Sequence, residues 1–310
     1  MTTMTKQPDM QHDQPSVGLI GLGNAGLALA RPLARRFTVV GYDKSEERCR
    51  LAAQAGLIAA TSAAEVSRRC EVMLLSLPTP AASLAAAAEL AQGRLAGRLI
   101  IETSTVGPHD VEQLQAAAAA HGATVVDSAI VGGVHKLADG RTTFLVGASA
   151  TDYARAKPIL ECAAEEIFHL GDTGAGMRAK LVNNAIAHTT MVMLLEGAAL
   201  AAKAGVPMQV YYTLMRRESG LLRPLTHRFG ERILQQDFDG GMPTANARKD
   251  SALALALARE LGVPLFTMQA SHTVYEMAAS RGLDRLDYAS ISKLWEDWLG
   301  IAFGSADHAA

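Results

Sequence analysis

The sequence predicts an α/β fold, with an N-terminal doubly wound sheet of Rossmann type followed by an all-α C-terminal domain, the two joined by one long helix. Three observations carry this. Short, continuously apolar segments alternate with helical patterns over the first half, as in a parallel sheet covered on both faces. A glycine-rich turn separates the first apolar segment from the first helical pattern. Beyond about Gly176 only helical periodicity remains.

Val17-Gly18-Leu19-Ile20 reads as a buried strand, followed by a helix from about Asn24 to Arg36. Phe37 to Tyr42 is a second strand, and Glu46 to Gln54 a helix. Glu71 to Leu77 is a strand stopped by Pro78. Arg98 to Glu102, Thr124 to Asp127 and Thr142 to Gly147 read as further strands, with Ala-rich helices between most of them. Met177 to Ala204 is one helical stretch without proline, ended by Gly205-Val206-Pro207. Helices are expected near Met208–Arg217, Thr244–Leu261, Leu265–Ser280 and Ser290–Trp298, with no strand among them. The boundaries are therefore a frayed polar tail at 1–15, a dinucleotide-binding domain at 16–176 and a helical domain at 177–310, which is also expected to carry oligomerisation.

Composition narrows the function. With 310 residues, 49% apolar and 19% charged, the chain can bury a large core. Its formal net charge of -2, with no basic stripe, argues against nucleic acid as a partner. Three widely spaced cysteines, Cys49, Cys70 and Cys162, form no Cys-x-x-Cys pair, so neither a disulfide scaffold nor a zinc site is expected and a reducing cytoplasm fits. No cluster has metal-ligand spacing, so no metal is expected. No run of about 18 apolar residues occurs, and no membrane-spanning helix is expected.

Gly21-Leu22-Gly23-Asn24-Ala25-Gly26 fits G-x-G-x-x-G after a strand and before a helix, the context that motif requires. Gly21 permits the tight turn, Gly23 lets backbone approach a pyrophosphate, and Gly26 allows helix to pack closely on strand. The helix N-terminus then offers free N–H groups to the anion. Asp43 follows Gly21 by 22 residues, at the end of the second strand, where a carboxylate meets ribose hydroxyls and repels a 2′-phosphate. NAD is thus favoured, while Lys44, either solvated or a phosphate ligand, leaves NADP open. Leu77 and Pro78 stand at the ligand-facing end of their strand, beside the cofactor path.

Lys180, Asn184 and His188 are spaced by four and share a helix face. A lysine with its pKa lowered by burial can pass a proton to or from a carbonyl oxygen while an amide one turn away holds that oxygen or the lysine. The same lysine could instead snorkel from an apolar helix. His188 could line a pocket, but reads better as a hydrogen-bonded core residue. Trp295 and Trp298 read as packing for the last helix or as an interface pair.

In order along the chain, GLIGLGNAG at 18–26, ETSTVGP at 102–108, DSAIVGG at 127–133 and GDTGAGMRAKLVNN at 171–184 resemble the β-hydroxyacid dehydrogenases, such as 3-hydroxyisobutyrate dehydrogenase and tartronate semialdehyde reductase. Lys249-Asp250 before an apolar helical run is a fifth match, and the resemblance extends from Val17 to about Trp298. It implies hydride transfer between NAD(P) and a small 3-hydroxy acid or its semialdehyde, with no metal, in a homodimer or homotetramer. It further implies Lys180 as acid/base with Asn184 as partner, Thr105 near the nicotinamide and Lys249 reaching the cofactor. Gly132 and Gly133 would hold the substrate carboxylate on backbone N–H groups.

Val131 departs from the family pattern, which places a serine there to bond the carboxylate. Losing such a bond weakens binding by ~1.5–3 kcal/mol. Either the backbone suffices, with His135 and Lys136 as surface groups, or the acyl pocket is less polar and reshaped, with Leu137 in place of a small residue and Lys136 or His135 helping to hold an acid group. Three other readings compete: an imine reductase-like enzyme, a 6-phosphogluconate dehydrogenase-like enzyme, and a non-catalytic dinucleotide-binding protein. The first generally lacks the lysine. The second expects histidine where Asn183 stands, and a longer helical domain. Retention of both the glycine turn and Lys180-Asn184 argues against the third.

Overall fold

The computed structural model describes residues 15–304, so the expected tail lies, apart from Pro15, outside the described residues. The chain packs as two units, divided between Asn184 and Ala185.

The first unit alternates β1 (Ser16–Ile20), α1 (Asn24–Leu33), β2 (Thr38–Tyr42), α2 (Glu46–Gln54), β3 (Ile58–Ala59), α3 (Ala63–Arg69), β4 (Val72–Leu75), α4 (Pro80–Ala91), β5 (Leu99–Glu102), α5 (Pro108–Ala119), β6 (Thr124–Val131), α6 (Gly133–Asp139), β7 (Thr142–Gly147), α7 (Ala150–Leu160) and β8 (Ala164–His169). The eight strands form one sheet in the order β3-β2-β1-β4-β5-β6-β7-β8. The order counts down from β3 to β1 and up from β4, with β1 and β4 parallel, so these two strands flank the switch point where such sheets bind ligands. Ile20 pairs with both Tyr42 and Leu75, so three strand ends meet at one edge.

Local chemistry explains the boundaries. Ser45, Ser62, Thr79 and Ser149 each accept a backbone N–H at the start of a helix, satisfying a donor that the helix leaves free. Pro80 and Pro108 occupy first-turn positions, where a missing N–H costs nothing. Leu19, Leu22, Leu29, Leu33 and Phe144 pack on one side of the sheet, and Met73, Leu75, Leu90 and Ile100 on the other, all nearly or completely buried. The sheet is not wholly parallel: β6 and β7 run antiparallel, with Asp127 opposite Gly147. The short α6 between them accounts for this, since it makes no full crossover to the far side of the sheet.

The helix α8 (Ala175–Lys203) starts in the first unit and continues into the second. An 18-residue stretch of it reaches a mean hydropathy of 1.5, long and apolar enough to cross a membrane by composition alone. Averaging hides the polar positions that broke up the apolar run in the sequence. Two of them have protein partners. Lys180 bonds the Ile130 carbonyl, and Glu196 accepts the backbone N–H of Thr267 at 2.9 Å. The second unit continues with α9 (Met208–Arg216), two π-helical segments, Glu218–Leu222 and Pro224–Ile233, and then α10 (Thr244–Glu260), α11 (Phe266–Ser280) and α12 (Ser292–Leu299). No strand occurs in this unit among the described residues. His188 is exposed rather than a core histidine. Trp295 and Trp298 meet edge to face at 5.4 Å and stay well exposed.

Candidate active site

A cleft of about 860 Å³ runs along the sheet edge of the first unit, and all its lining residues belong to that unit. At its centre is the glycine turn. Gly21 has φ +91° and sits so close to Ser76 that a side-chain carbon would collide with the Ser76 carbonyl oxygen. At Gly26 such a carbon would meet the Gly21 carbonyl oxygen, which is why α1 can begin directly over β1. Nothing stands within 4 Å of the place a Gly23 side chain would take. That open side, the bare first turn of α1 and the cleft's size fit a dinucleotide pyrophosphate.

The sequence-predicted residues divide as follows. Gly21, Gly23, Asn24, Ala25, Asp43, Lys44, Leu77, Pro78, Thr105, Gly133 and Lys180 all line the cleft. Leu22 does not. Its side chain is buried, and its N–H donates to the Asp43 carboxylate at 2.7 Å. Ser45 N–H donates to the other Asp43 oxygen at 2.8 Å, so the carboxylate is held from two sides. Gly26 packs against the Gly21 carbonyl, and Val131, half-buried, and Gly132, exposed, are outside the lining. The Val131 carbonyl accepts from Thr142 Oγ1 at 2.8 Å. Asn184 is half-buried, and its Oδ1 accepts from Asn183 Nδ2 at 3.4 Å. Lys249 belongs to α10 of the second unit, where it is exposed and pairs with Asp250 at 3.1 Å.

Lys180 closes the other end of the cleft. Its ammonium donates to the Ile130 carbonyl at 2.7 Å, and burial lowers its pKa from the ordinary lysine value. Asp127, completely buried on β6, fixes the start of the helix that carries it. Its two oxygens accept from Gly174 N–H at 2.5 Å and Met177 N–H at 2.7 Å. Burial raises the Asp127 pKa, against the pull of those bonds.

Sequence reasoning passed over this role of Asp127, and also Glu102 and Ser104. Ser104 N–H donates to Glu102 Oε1 at 2.7 Å, while Ser104 Oγ accepts from Leu77 N–H at 2.8 Å. Glu102 is completely buried, and burial raises its pKa. A carboxylate inside an otherwise apolar strand was the available signal in both cases.

Fold and cleft together define an NAD(P)-binding oxidoreductase of Rossmann type. Residues 16–171 match the family described as the NAD-binding domain of 6-phosphogluconate dehydrogenase. Residues 174–295 match the one described as NAD-binding of NADP-dependent 3-hydroxyisobutyrate dehydrogenase. The chain is 31% identical over 291 residues to the 3-hydroxyisobutyrate dehydrogenase of Pseudomonas aeruginosa, covering 90% of this chain and 98% of that one. It is 29% identical over 292 residues to the 2-(hydroxymethyl)glutarate dehydrogenase of Eubacterium barkeri, covering 92% and 96%. Among solved structures, an imine reductase from Pseudomonas sp. superposes with a TM-score of 0.83 at 25% identity, covering 91% of this chain and 100% of that one. The chain belongs to the β-hydroxyacid dehydrogenase family. It is an NAD(P)-dependent oxidoreductase acting on the CH–OH group of a small hydroxy acid.

Proposed function

We propose that the protein interconverts a small 3-hydroxy acid and its semialdehyde, with Lys180 as the acid/base. The observation that carries this is the position of Lys180. It lies in the same cleft as the glycine turn, held by the Ile130 carbonyl and short of its ordinary basicity. The bound dinucleotide supplies or accepts the hydride. Lys180 Nζ holds the proton that goes to the carbonyl oxygen in reduction, and takes it from the hydroxyl in oxidation. The Ile130 carbonyl occupies one of its three N–H bonds, which leaves two for a substrate oxygen.

Asn184, one turn further on, has a free amide N–H₂ to orient that oxygen. Gly133 and Gly132 offer backbone N–H groups to the carboxylate, and Thr105 borders the nicotinamide end of the cleft. Lys249 is assigned to the cofactor on family resemblance alone. Both hydroxy acid dehydrogenase relatives are named for substrates with an alcohol carbon β to a carboxylate. Asp43, doubly held at the ribose end, favours NAD over NADP.

We further infer a soluble cytoplasmic enzyme working as a homodimer or homotetramer. A second copy would cover the apolar surface of the helical unit, where Ile186 is 67% and Leu195 58% exposed. The test is an initial-rate screen with NAD+ and NADP+ over short 3-hydroxy acids, and with NADH and NADPH over their semialdehydes and cyclic imines. Turnover of hydroxy acids is expected. Turnover of imines alone would replace this reading with imine reduction, and binding without any turnover would replace it with a non-catalytic protein.

A further inference from the structure

The cleft wall opposite β2 is built by α4. Ala82, Ala86 and Glu89 line the cleft and are spaced by four and three, so they form one face of that helix. The first two are small and apolar. The third places a carboxylate in the part of the cleft lined by Asp43, Lys44 and Arg48. Glu89 Oε1 lies 3.2 Å from Lys44 Nζ. Tyr42, which ends β2 on the facing side, has its pKa raised, first by burial and then by the charge of Glu89.

Lys44 is the cation next in sequence to the ribose-binding carboxylate, and so a natural partner for a 2′-phosphate. In this structure it is turned to Glu89 instead. Arg48 makes no ion pair among the described residues, and Asp43 is occupied by backbone N–H groups. The end of the cleft therefore has two carboxylates and two cations, with one of the cations neutralised in place.

We propose that Glu89 is a determinant of coenzyme selectivity: by holding Lys44 across the cleft, it withdraws the cation a 2′-phosphate needs and adds a like charge beside it. The inference rests on reading the Asp43 end as the adenosine-ribose end. It follows that the chain discriminates NAD from NADP with a residue on α4, some 45 positions from the second-strand carboxylate.

The test is direct binding of NADH and NADPH, followed by quenching of protein fluorescence or by calorimetry on the full chain, so no substrate need be known. In Glu89→Gln the ratio Kd(NADPH)/Kd(NADH) should fall about fivefold from wild type, the size of one exposed charge interaction. The fall should shrink at high salt. Adding Lys44→Met to that variant should return most of the change, because the released cation is what binds the phosphate. A ratio within about twofold of wild type in both Glu89→Gln and Glu89→Ala, each melting as wild type does, overturns the proposal. So does a gain that persists in full once Lys44 is also replaced. Asp43→Ala separates the two levels. If it leaves NADH binding unchanged, the reading of this end as the ribose site is wrong. If it weakens NADH binding while Glu89→Gln leaves the ratio unmoved, only the role of Glu89 falls. The wild-type ratio independently tests the preference for NAD.

Discussion

The two units handle their apolar residues in opposite ways. In the first, both faces of the sheet are covered by its own helices, and Leu19, Leu74, Leu99, Ile101 and Phe144 have no exposure at all. In the second, among the described residues, the buried apolar cluster comprises Leu255, Ala258, Val263 and Leu265, with isolated buried residues such as Phe238 and Leu294, while Met191, Val210, Tyr212 and Phe266 stand out in solvent. A sheet closed by its own crossovers completes its core within one chain. A set of long helices with apolar residues on more than one side does not. The chemistry follows the same division. The cleft and Lys180 sit on the unit that completes its own core, and the exposed apolar surface sits on the other.

The sharpest way to break this comparison is Lys180→Ala. It should lower kcat by a factor on the order of 10² to 10⁴, the usual contribution of a general acid/base, while leaving dinucleotide affinity near wild type. A near-normal kcat would sink the assignment. The pH profile sharpens the same point. Oxidation needs the neutral amine and should rise with pH, whereas reduction needs the ammonium and should fall. Both should turn below the ordinary lysine range, since burial disfavours the charged form.

A second effect separates the units. Ile186→Asp with Leu195→Asp places charges on the exposed apolar surface of α8. Each side chain is expected to be worth ~1.5–3 kcal/mol when covered, and a two-fold interface counts it twice. Light scattering should show wild type as an oligomer and the variant as a monomer, with dinucleotide binding retained by the first unit. An unchanged mass would show that some other surface carries association.

Asp127→Asn comes next in size. It takes a carboxylate away from two backbone N–H groups at the start of α8, at a cost of about 1–3 kcal/mol. Urea unfolding should show this loss. Because α8 carries Lys180, kcat should fall more than cofactor affinity does. Equal loss of both would mean that Asp127 supports the unit as a whole rather than the placement of the lysine.

How far the sequence could be read follows the same physics. The strands at Ser16–Ile20, Thr38–Tyr42 and Thr142–Gly147 were legible because burial on both faces leaves a continuous apolar run. The edge strand Ala164–His169 was not, because its exposed Glu165, Glu166 and His169 erase that signal. The two-residue β3 and the seven-residue α6 are too short to show a period. At the site, motif spacing marked Gly21 and Asp43, the family resemblance added Thr105 and favoured Lys180, and all four line one cleft. Neither could show that Asp127 anchors Lys180's helix, or that Lys44 turns to Glu89, since both depend on contacts between elements distant in the chain.

The smallest expected effect compares one device in the two units. Asp127 receives the free N–H groups of α8, and Glu196 those of α11, through Thr267 at 2.9 Å and Met268 at 3.4 Å. Burial raises the Asp127 pKa above its ordinary value despite its hydrogen bonds. Burial pushes the Glu196 pKa up too, but its bonds from Thr267 and Met268 outweigh that and hold it below. The linkage signs are therefore opposite. What Glu196 contributes to stability is present above its unfolded pKa and lost as pH falls through the lower folded value. What Asp127 contributes is present below its unfolded pKa and lost as pH rises through the higher folded one. On acidification the N-terminus of α11 should thus lose protection before that of α8, by no more than about 1 kcal/mol. Hydrogen exchange of the amides at 266–268 and 174–177 between neutral and mildly acid pH measures it. Glu196→Gln should flatten the acid dependence at α11 and leave that at α8 alone, and parallel losses at both helix ends in the wild type would refute the contrast.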